Sequence, residues 1–463
     1  MIVRSPILAP QLDGSVRFIR DGVIASDAVG RIDWIGEFAH FFGRGRADIE
    51  RSAGVIIPPF FDNHIHIPQH PIRGHFLDGV DDSNSPHGRL LAGLERNVFP
   101  AEARCADDSI ADAIIREFRR DTLAHGVAGG AAYMTVHSGA TRRALELLPA
   151  SWSVGLVMMN QNCPGYLRTD EPGFERDAER LAGDFGQRYL VTDRFAVAVN
   201  TPLRRRGVDV ARRFNLRMQT HLNEQRGEKQ LIEQKLYPGL SYTGVYERDG
   251  LLQRRAILAH CVHMTDDELA MVARHGAVIA HCPTSNTLLS SGIMPLDRVI
   301  EHGIDYAICT DVGASPTTSI LNEMAQFLKV HARRSSRATP SEALFRSTLA
   351  ATRMMGMEDR FGLLEVGRPM SFVQIACGPD VIATAQSADD AILRGMLDWS
   401  EPGSDLREAF DHLADGSLTS PAQMQRISDD VSQTVRKLES KVARVIIDGG
   451  VAHESPTAQQ ALR

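Results

Sequence analysis

The 463-residue chain is 43% apolar and 24% charged, a composition that excludes a disordered or fibrous protein and suits a large folded core. Its net charge of −7 and pI near 6.2 exclude the general electrostatic attraction on which nucleic-acid and anionic-membrane partners depend. Arg4, Asp13, Arg17, Arg20, Asp21 and Asp27 break every apolar run near the start, and no 18-residue apolar span follows, so neither a secretory leader nor a membrane helix is expected.

Residues 1–53 read as short strands punctuated by Asp13-Gly14 and Asp21-Gly22, turn dipeptides with a hairpin character. They hold too few apolar residues to fold alone. The chain's end supplies a partner, because 370–376 and 442–447 also read as strands, the second closed by Asp448-Gly449-Gly450. The expectation is a small β-domain built from both termini, residues 1–56 and 363–463, flanking a larger domain over 57–362. Two helices, 405–416 and 421–441, are predicted as insertions in the terminal domain. The second carries Met424, Ile427, Val431, Val435 and Leu438 on one stripe, about three heptads long and so a packing face rather than a coiled coil.

Between the termini, strand and helix signals alternate. Strands are predicted at 55–66, 128–137, 153–160, 194–200, 216–222, 256–262, 277–282 and 306–311, with helices such as 107–124, 141–148, 174–186, 266–274 and 320–333 between most of them. Eight such units predict an α/β fold, a closed (β/α)8 TIM barrel, whose active site lies at the C-terminal ends of its strands. The six cysteines form no Cys-x-x-Cys pair, which agrees with a reduced, cytoplasmic setting.

The chemistry concentrates at those strand ends. His64 and His66 close strand one, and residues i and i+2 of a strand share a face, so both imidazoles aim at one point. His221, His260 and Asp311 close strands five, six and eight. Imidazole nitrogen with carboxylate oxygen suits zinc, and ferrous iron after it. Strand four holds no lysine to bridge two ions, so a single divalent metal is expected. A cation so held acidifies water toward neutrality. Glu224, three residues beyond His221, stands where a carboxylate can move the proton; the plain alternative is a glutamate favoured by a helix N-terminus. His281 closes strand seven and is expected to hydrogen-bond at the site. His137 reads as a packed histidine, and His70, His75 and His87 fall in a specificity loop or simply face solvent.

These residues resemble the guanine deaminase branch of the amidohydrolases. The likeness is carried by His64-x-His66-x-x-Gln69, Phe99-Pro100-Ala101-Glu102, Gln219-Thr220-His221-Leu222-Asn223-Glu224, Tyr237-Pro238, Tyr242-Thr243-x-Val245-Tyr246, Leu258-Ala259-His260, His281-Cys282-Pro283-x-Ser285-Asn286 and Thr310-Asp311. The resemblance implies that His64, His66, His221 and Asp311 hold the metal, that His260 bonds the attacking oxygen or the tetrahedral centre, and that Asp311 also accepts the water's proton. Glu224 would protonate a ring nitrogen and Gln69 would contact the purine edge, with His221 and His281 beside the substrate. It also implies purine metabolism, a small aminated heterocycle as substrate and a homodimer.

Two departures set an expectation about substrate. Guanine deaminases carry Pro-Arg-Phe-Ser after strand four, clamping and stacking on the base; the stretch in that place here is taken as Thr201-Pro202-Leu203-Arg204-Arg205-Arg206. A family tryptophan is replaced within Leu90-Leu91-Ala92-Gly93-Leu94, and the loop 74–89 is longer. A roomier pocket is expected, suited to guanine or to a larger ring such as a pterin or oxidised purine, with the three arginines either facing it or opening the next helix toward solvent. The alternatives are a chlorohydrolase or cyclic amidase of the same superfamily and a non-catalytic ligand-binding barrel. The cytidine deaminase type is excluded because Pro-Cys-x-x-Cys is absent.

Overall fold

The computed structural model of the protein describes residues 1–42, 49–52, 54–80, 88–417 and 420–456. Eight parallel strands form the predicted barrel: Phe60–His66, Val127–Tyr133, Trp152–Met158, Tyr189–Asp193, Met218–Leu222, Ile257–His260, Val278–His281 and Tyr306–Ile308, paired in chain order. The first and last strands meet just past their paired regions, where His66 N donates to Val312 O at 2.7 Å and Asp311 N donates to His64 O at 2.9 Å.

The predicted strand over 55–66 is two strands. Val55–Ile57 joins the terminal sheet and Phe60–His66 joins the barrel. Pro58-Pro59 lies between them, and two consecutive residues without an N–H cannot continue a ladder. Phe60–His66 is itself irregular. From Asp62 to Ile65 it advances three residues while its neighbour advances two, from Gly130 to Ala132. Such a bulge re-aims the side chains beyond it. Phe61 packs inside the barrel with Ala131, Leu190, Ala259, Ala280 and Ala307; past the bulge, His64 and His66 turn to Asp311.

Strand four is displaced from the expectation, lying at Tyr189–Asp193 rather than 194–200. The apolar run Phe195 to Val199 is buried but belongs to a turn in which Ala198 N bonds Phe195 O. It is covered by the rim of the barrel instead of being paired in the sheet.

Both termini do build the flanking sheets. A six-stranded sheet contains Ile7–Pro10, Val16–Ile19, Val55–Ile57, Phe372–Ile375, Val442–Ile447 and Gly450–Glu454, and a four-stranded sheet contains Ile2–Arg4, Gly22–Ser26, Ile32–Glu37 and Glu50–Arg51. The helices Ser404–Asp415 and Pro421–Leu438 lie within one to three residues of the expected bounds and are inserted, as expected, between the terminal-sheet strands Phe372–Ile375 and Val442–Ile447. Ile427, Phe410 and Leu413 cluster with Val330 of the barrel helix Ile320–His331, and Lys329 Nζ meets Asp430 Oδ2 at 2.6 Å. Their apolar stripe finds its partner on the barrel, near the mouth.

Candidate active site

His64 and His66 Nε2 lie 3.3 and 3.2 Å from Asp311 Oδ1. With His221 they offer four ligand atoms all within 4.8 Å of one another. Burial, joined by the charges of neighbouring histidines, holds His221 well below the usual imidazole range. Burial also lowers His64, to about 4, against the pull of Asp311. Both rings are therefore neutral at pH 7, the form that ligates a metal. Burial alone would raise Asp311, but the contacts with His64 and His66 outweigh it and hold the carboxyl well below its ordinary value.

The surrounding groups set the tautomers. His221 Nδ1–H donates to the carbonyl oxygen of Arg194 at 2.6 Å, which leaves Nε2 as the lone-pair atom. His260 Nδ1 is 2.8 Å from Asn286 Oδ1, so it too donates there and turns Nε2 to the site. Ser285 Oγ donates to Asp311 Oδ2 at 2.6 Å. Beneath them Asp62, raised to about 7 by burial, accepts from Thr310 Oγ1 at 2.5 Å and steadies the strand end that carries Asp311. His260 and Asp311 both adopt left-handed backbone, φ 71° and 55°, a strained conformation that collects at functional sites.

Buried polar atoms are almost always satisfied, yet His64 Nε2 and His260 Nε2 are buried with no hydrogen-bond partner. A divalent cation fits this donor set: three imidazole nitrogens and one carboxylate oxygen, with His260 beside it. Glu224 Oε2 lies 3.6 Å from His260 Nε2 and its Oε1 accepts from Ser291 Oγ at 3.2 Å. Burial, reinforced by the charge of Asp311, pushes Glu224 up to about 8. That direction favours its acid form.

Residues 55–414 match the amidohydrolase family over most of the chain. The chain belongs to this family. It is 27% identical to the guanine deaminase of Escherichia coli over 379 residues, covering 78% of this chain and 83% of that protein. It is 28% identical to the guanine deaminase of Rattus norvegicus over 330 residues, 67% and 70% of the two chains. The crystal structure of guanine deaminase from C. acetobutylicum with bound guanine superimposes with a TM-score of 0.75 at 21% identity, covering 97% of this chain and 99% of that one. That last likeness carries the fold.

The pocket of this amidohydrolase is lined by Gln69, Phe76, Leu90, Leu94, Arg194 and Phe195 opposite the histidines, Glu224 and Asp311. Here the sequence expectation needs correction. Arg194-Phe195 comes directly after strand four, so an arginine and an aromatic stand at the rim after all. The signal was present as Asp193-Arg194-Phe195-Ala196, hidden because the strand was expected five residues too late. Thr201-Pro202-Leu203-Arg204-Arg205-Arg206 instead opens the helix Thr201–Phe214. Arg204 is buried against Asp193 and Asp249, 2.8 Å from each, while Arg205 and Arg206 are about half exposed; none lines the pocket. Among the described residues the cavity here is ≈ 30 Å³.

His281 is likewise outside the pocket. Its Nε2 lies 2.9 Å from Nε2 of His331, on the outer face of strand seven that it shares with Ile279 by the two-residue period. His137 precedes the helix Ser138–Leu147 and lines no part of the pocket. His70 is buried, 3.0 Å from Asp121, rather than free in solvent. His75 is exposed, beside Asp78, and residues 81–87 of the long loop, His87 among them, lie outside the described residues.

Proposed function

We propose that the protein is a zinc-dependent hydrolytic deaminase of guanine or a related aminated, oxo-bearing purine or pterin, with ferrous iron as the second choice of metal. The observation that carries the reading is a buried carboxyl, Glu224, facing one pocket shared by the cation ligands and by Arg194, Phe195 and Gln69. The guanine deaminases among its relatives support the same substrate class.

In this reading His64, His66, His221 and Asp311 would hold the cation, which when bound would supply Lewis acidity to the attacking water. Phe195 offers a ring face on which the base stacks, and Arg194 and Gln69 take its polar edge. Glu224 gives its proton to the ring nitrogen beside the amino-bearing carbon, breaking the ring's aromaticity as the water oxygen adds. Asp311 takes the proton that the water loses, and the lone pair of His260 Nε2 accepts a hydrogen bond from the proton that the oxygen keeps. Asp311 passes the proton it took to the amino group as the C–N bond breaks and ammonia leaves, and the added hydroxyl gives its remaining proton back to Glu224 as it becomes the ring carbonyl.

The barrel over 57–362 carries this chemistry, with 1–56 and 363–463 as the two parts of the terminal domain. A cytoplasmic homodimer is inferred from the family resemblance; no helix among the described residues is long and apolar enough to cross a membrane. Ammonia release from guanine, 8-oxoguanine, isoxanthopterin and other pterins tests the reading. Turnover of guanine or one of these rings is expected, and no ammonia from any of them with metal bound would overturn it.

A further inference from the structure

Glu102 lies in the short helix Phe99–Ala103, fully buried and outside the pocket lining. Both of its side-chain partners line the pocket. Arg194 Nη1 donates to Glu102 Oε1 and Oε2 at 2.7 and 2.8 Å, and Gln69 Nε2 donates to Oε1 at 3.0 Å. We propose that Glu102 is the positioning residue that decides which edge of the heterocycle the pocket accepts, by fixing Arg194 and Gln69 with one charge.

An ionised carboxylate accepts hydrogen bonds and donates none, so the nitrogen end of the Gln69 amide must face it. The amide's oxygen then lies toward Gly313 N, 3.4 Å away. The same carboxylate neutralises a guanidinium that would otherwise stand in a dry pocket without a counter-charge, an arrangement that is strongly unfavourable. Only Nη1 is engaged. Nε and Nη2 of Arg194 have no hydrogen-bond partner among the described residues, and the Phe99 ring lies 5.3 Å from the guanidinium carbon. The pocket therefore meets the substrate with fixed donors, which select an acceptor edge: a ring carbonyl with its neighbouring unprotonated nitrogen. An amino group in that place would set donor against donor.

Glu102→Gln keeps the shape and removes the logic. The carboxamide oxygen can still receive the two bonds that Oε1 accepts, but the charge is gone and the NH2 group confronts the Arg194 Nη1–H that bonded Oε2. The inference builds on the assignment of Arg194 and Gln69 to substrate, so the wild-type enzyme is assayed first; failure to release ammonia from any ring tested removes that assignment, not the role of Glu102 alone. Given activity, E102Q is expected to raise KM about 10- to 100-fold, the range for losing charge-assisted hydrogen bonds, with kcat within about 3-fold and full metal content. Glu102→Asp, which keeps the charge, is expected to recover part of the affinity and serves alone if E102Q does not fold. An unchanged KM in the folded variant, or metal content falling together with kcat, overturns the proposal.

Discussion

The wall of the pocket that faces the cation is made by strand ends, whereas the wall that faces the heterocycle is made by the turns and loops beyond them. His64, His66 and His221 sit within paired strands, where the two-residue period and the barrel's tilt fix direction. Gln69, Glu102, Arg194 and Phe195 come from short helical turns and loops; Gln69 and Arg194 are held by the buried carboxylate of Glu102 instead of by a ladder. A sheet supplies direction to any side chain placed on it. A loop must supply direction through specific hydrogen bonds. The first kind of wall fixes the reaction type, and the second fixes what is allowed to undergo it.

The sharpest way to break that contrast is on the cation side. Asp311→Ala removes the only carboxylate of the donor set and, in the proposed mechanism, the acceptor for the water's proton. Activity is expected to fall at least about 10⁴-fold, several kcal/mol of lost charge stabilisation, with metal content, read by elemental analysis, falling too. Full metal content in this variant would mean that the cation lies elsewhere. Glu224→Gln should separate chemistry from binding: kcat falls about 10²- to 10⁴-fold, as for loss of a general acid, while metal content stays. The pH profile gives a second reading of the same group. Glu224 is raised to about 8, so its acid form prevails below that pH and is lost above it. The wild-type kcat is expected to decline as pH rises through about 8, and a kcat still climbing there would remove Glu224 from the donor role.

The same contrast explains which residues were legible in the sequence. Two histidines one residue apart, then His221, His260 and Asp311 at later strand ends, are readable because the barrel turns strand order into convergence. Glu224 was readable by its distance from His221. Arg194-Phe195 was not, because the buried apolar run Phe195 to Val199 has the composition of a strand, and burial under a rim leaves the same trace in sequence as burial in a sheet. His281 went astray for a neighbouring reason: a strand-end histidine has two faces to choose from, and Ile279 on the outer face decides it. The bulge between Asp62 and Ile65 left no trace at all, although it aims His64 and His66.

On the recognition side, Arg194→Met keeps length and apolar contact while removing the guanidinium. The carbonyl that holds His221 is main chain and survives, so metal content should stay whole. kcat/KM is expected to fall about 10- to 100-fold, mostly through KM. A loss of metal instead would show that the two walls are not separable, and that the side chain of Arg194 is needed to keep its own carbonyl in place.

The smallest effect is expected at Arg206, and it closes the question raised by three consecutive arginines. The helical period allows only one of them to point inward, and Arg204 takes that position, buried between Asp193 and Asp249 with a bond to Val199 O. Arg206 is 47% exposed, with Glu175 at 3.4 Å, a surface pair of the sort worth about 0.2–1 kcal/mol. Arg206→Ala should shift stability by no more than about 1 kcal/mol in denaturant unfolding and leave KM within about 2-fold, since no substrate hydrogen bond is lost. A tenfold rise in KM would place a second arginine at the heterocycle and undo the assignment of its polar edge to the wall that Glu102 holds.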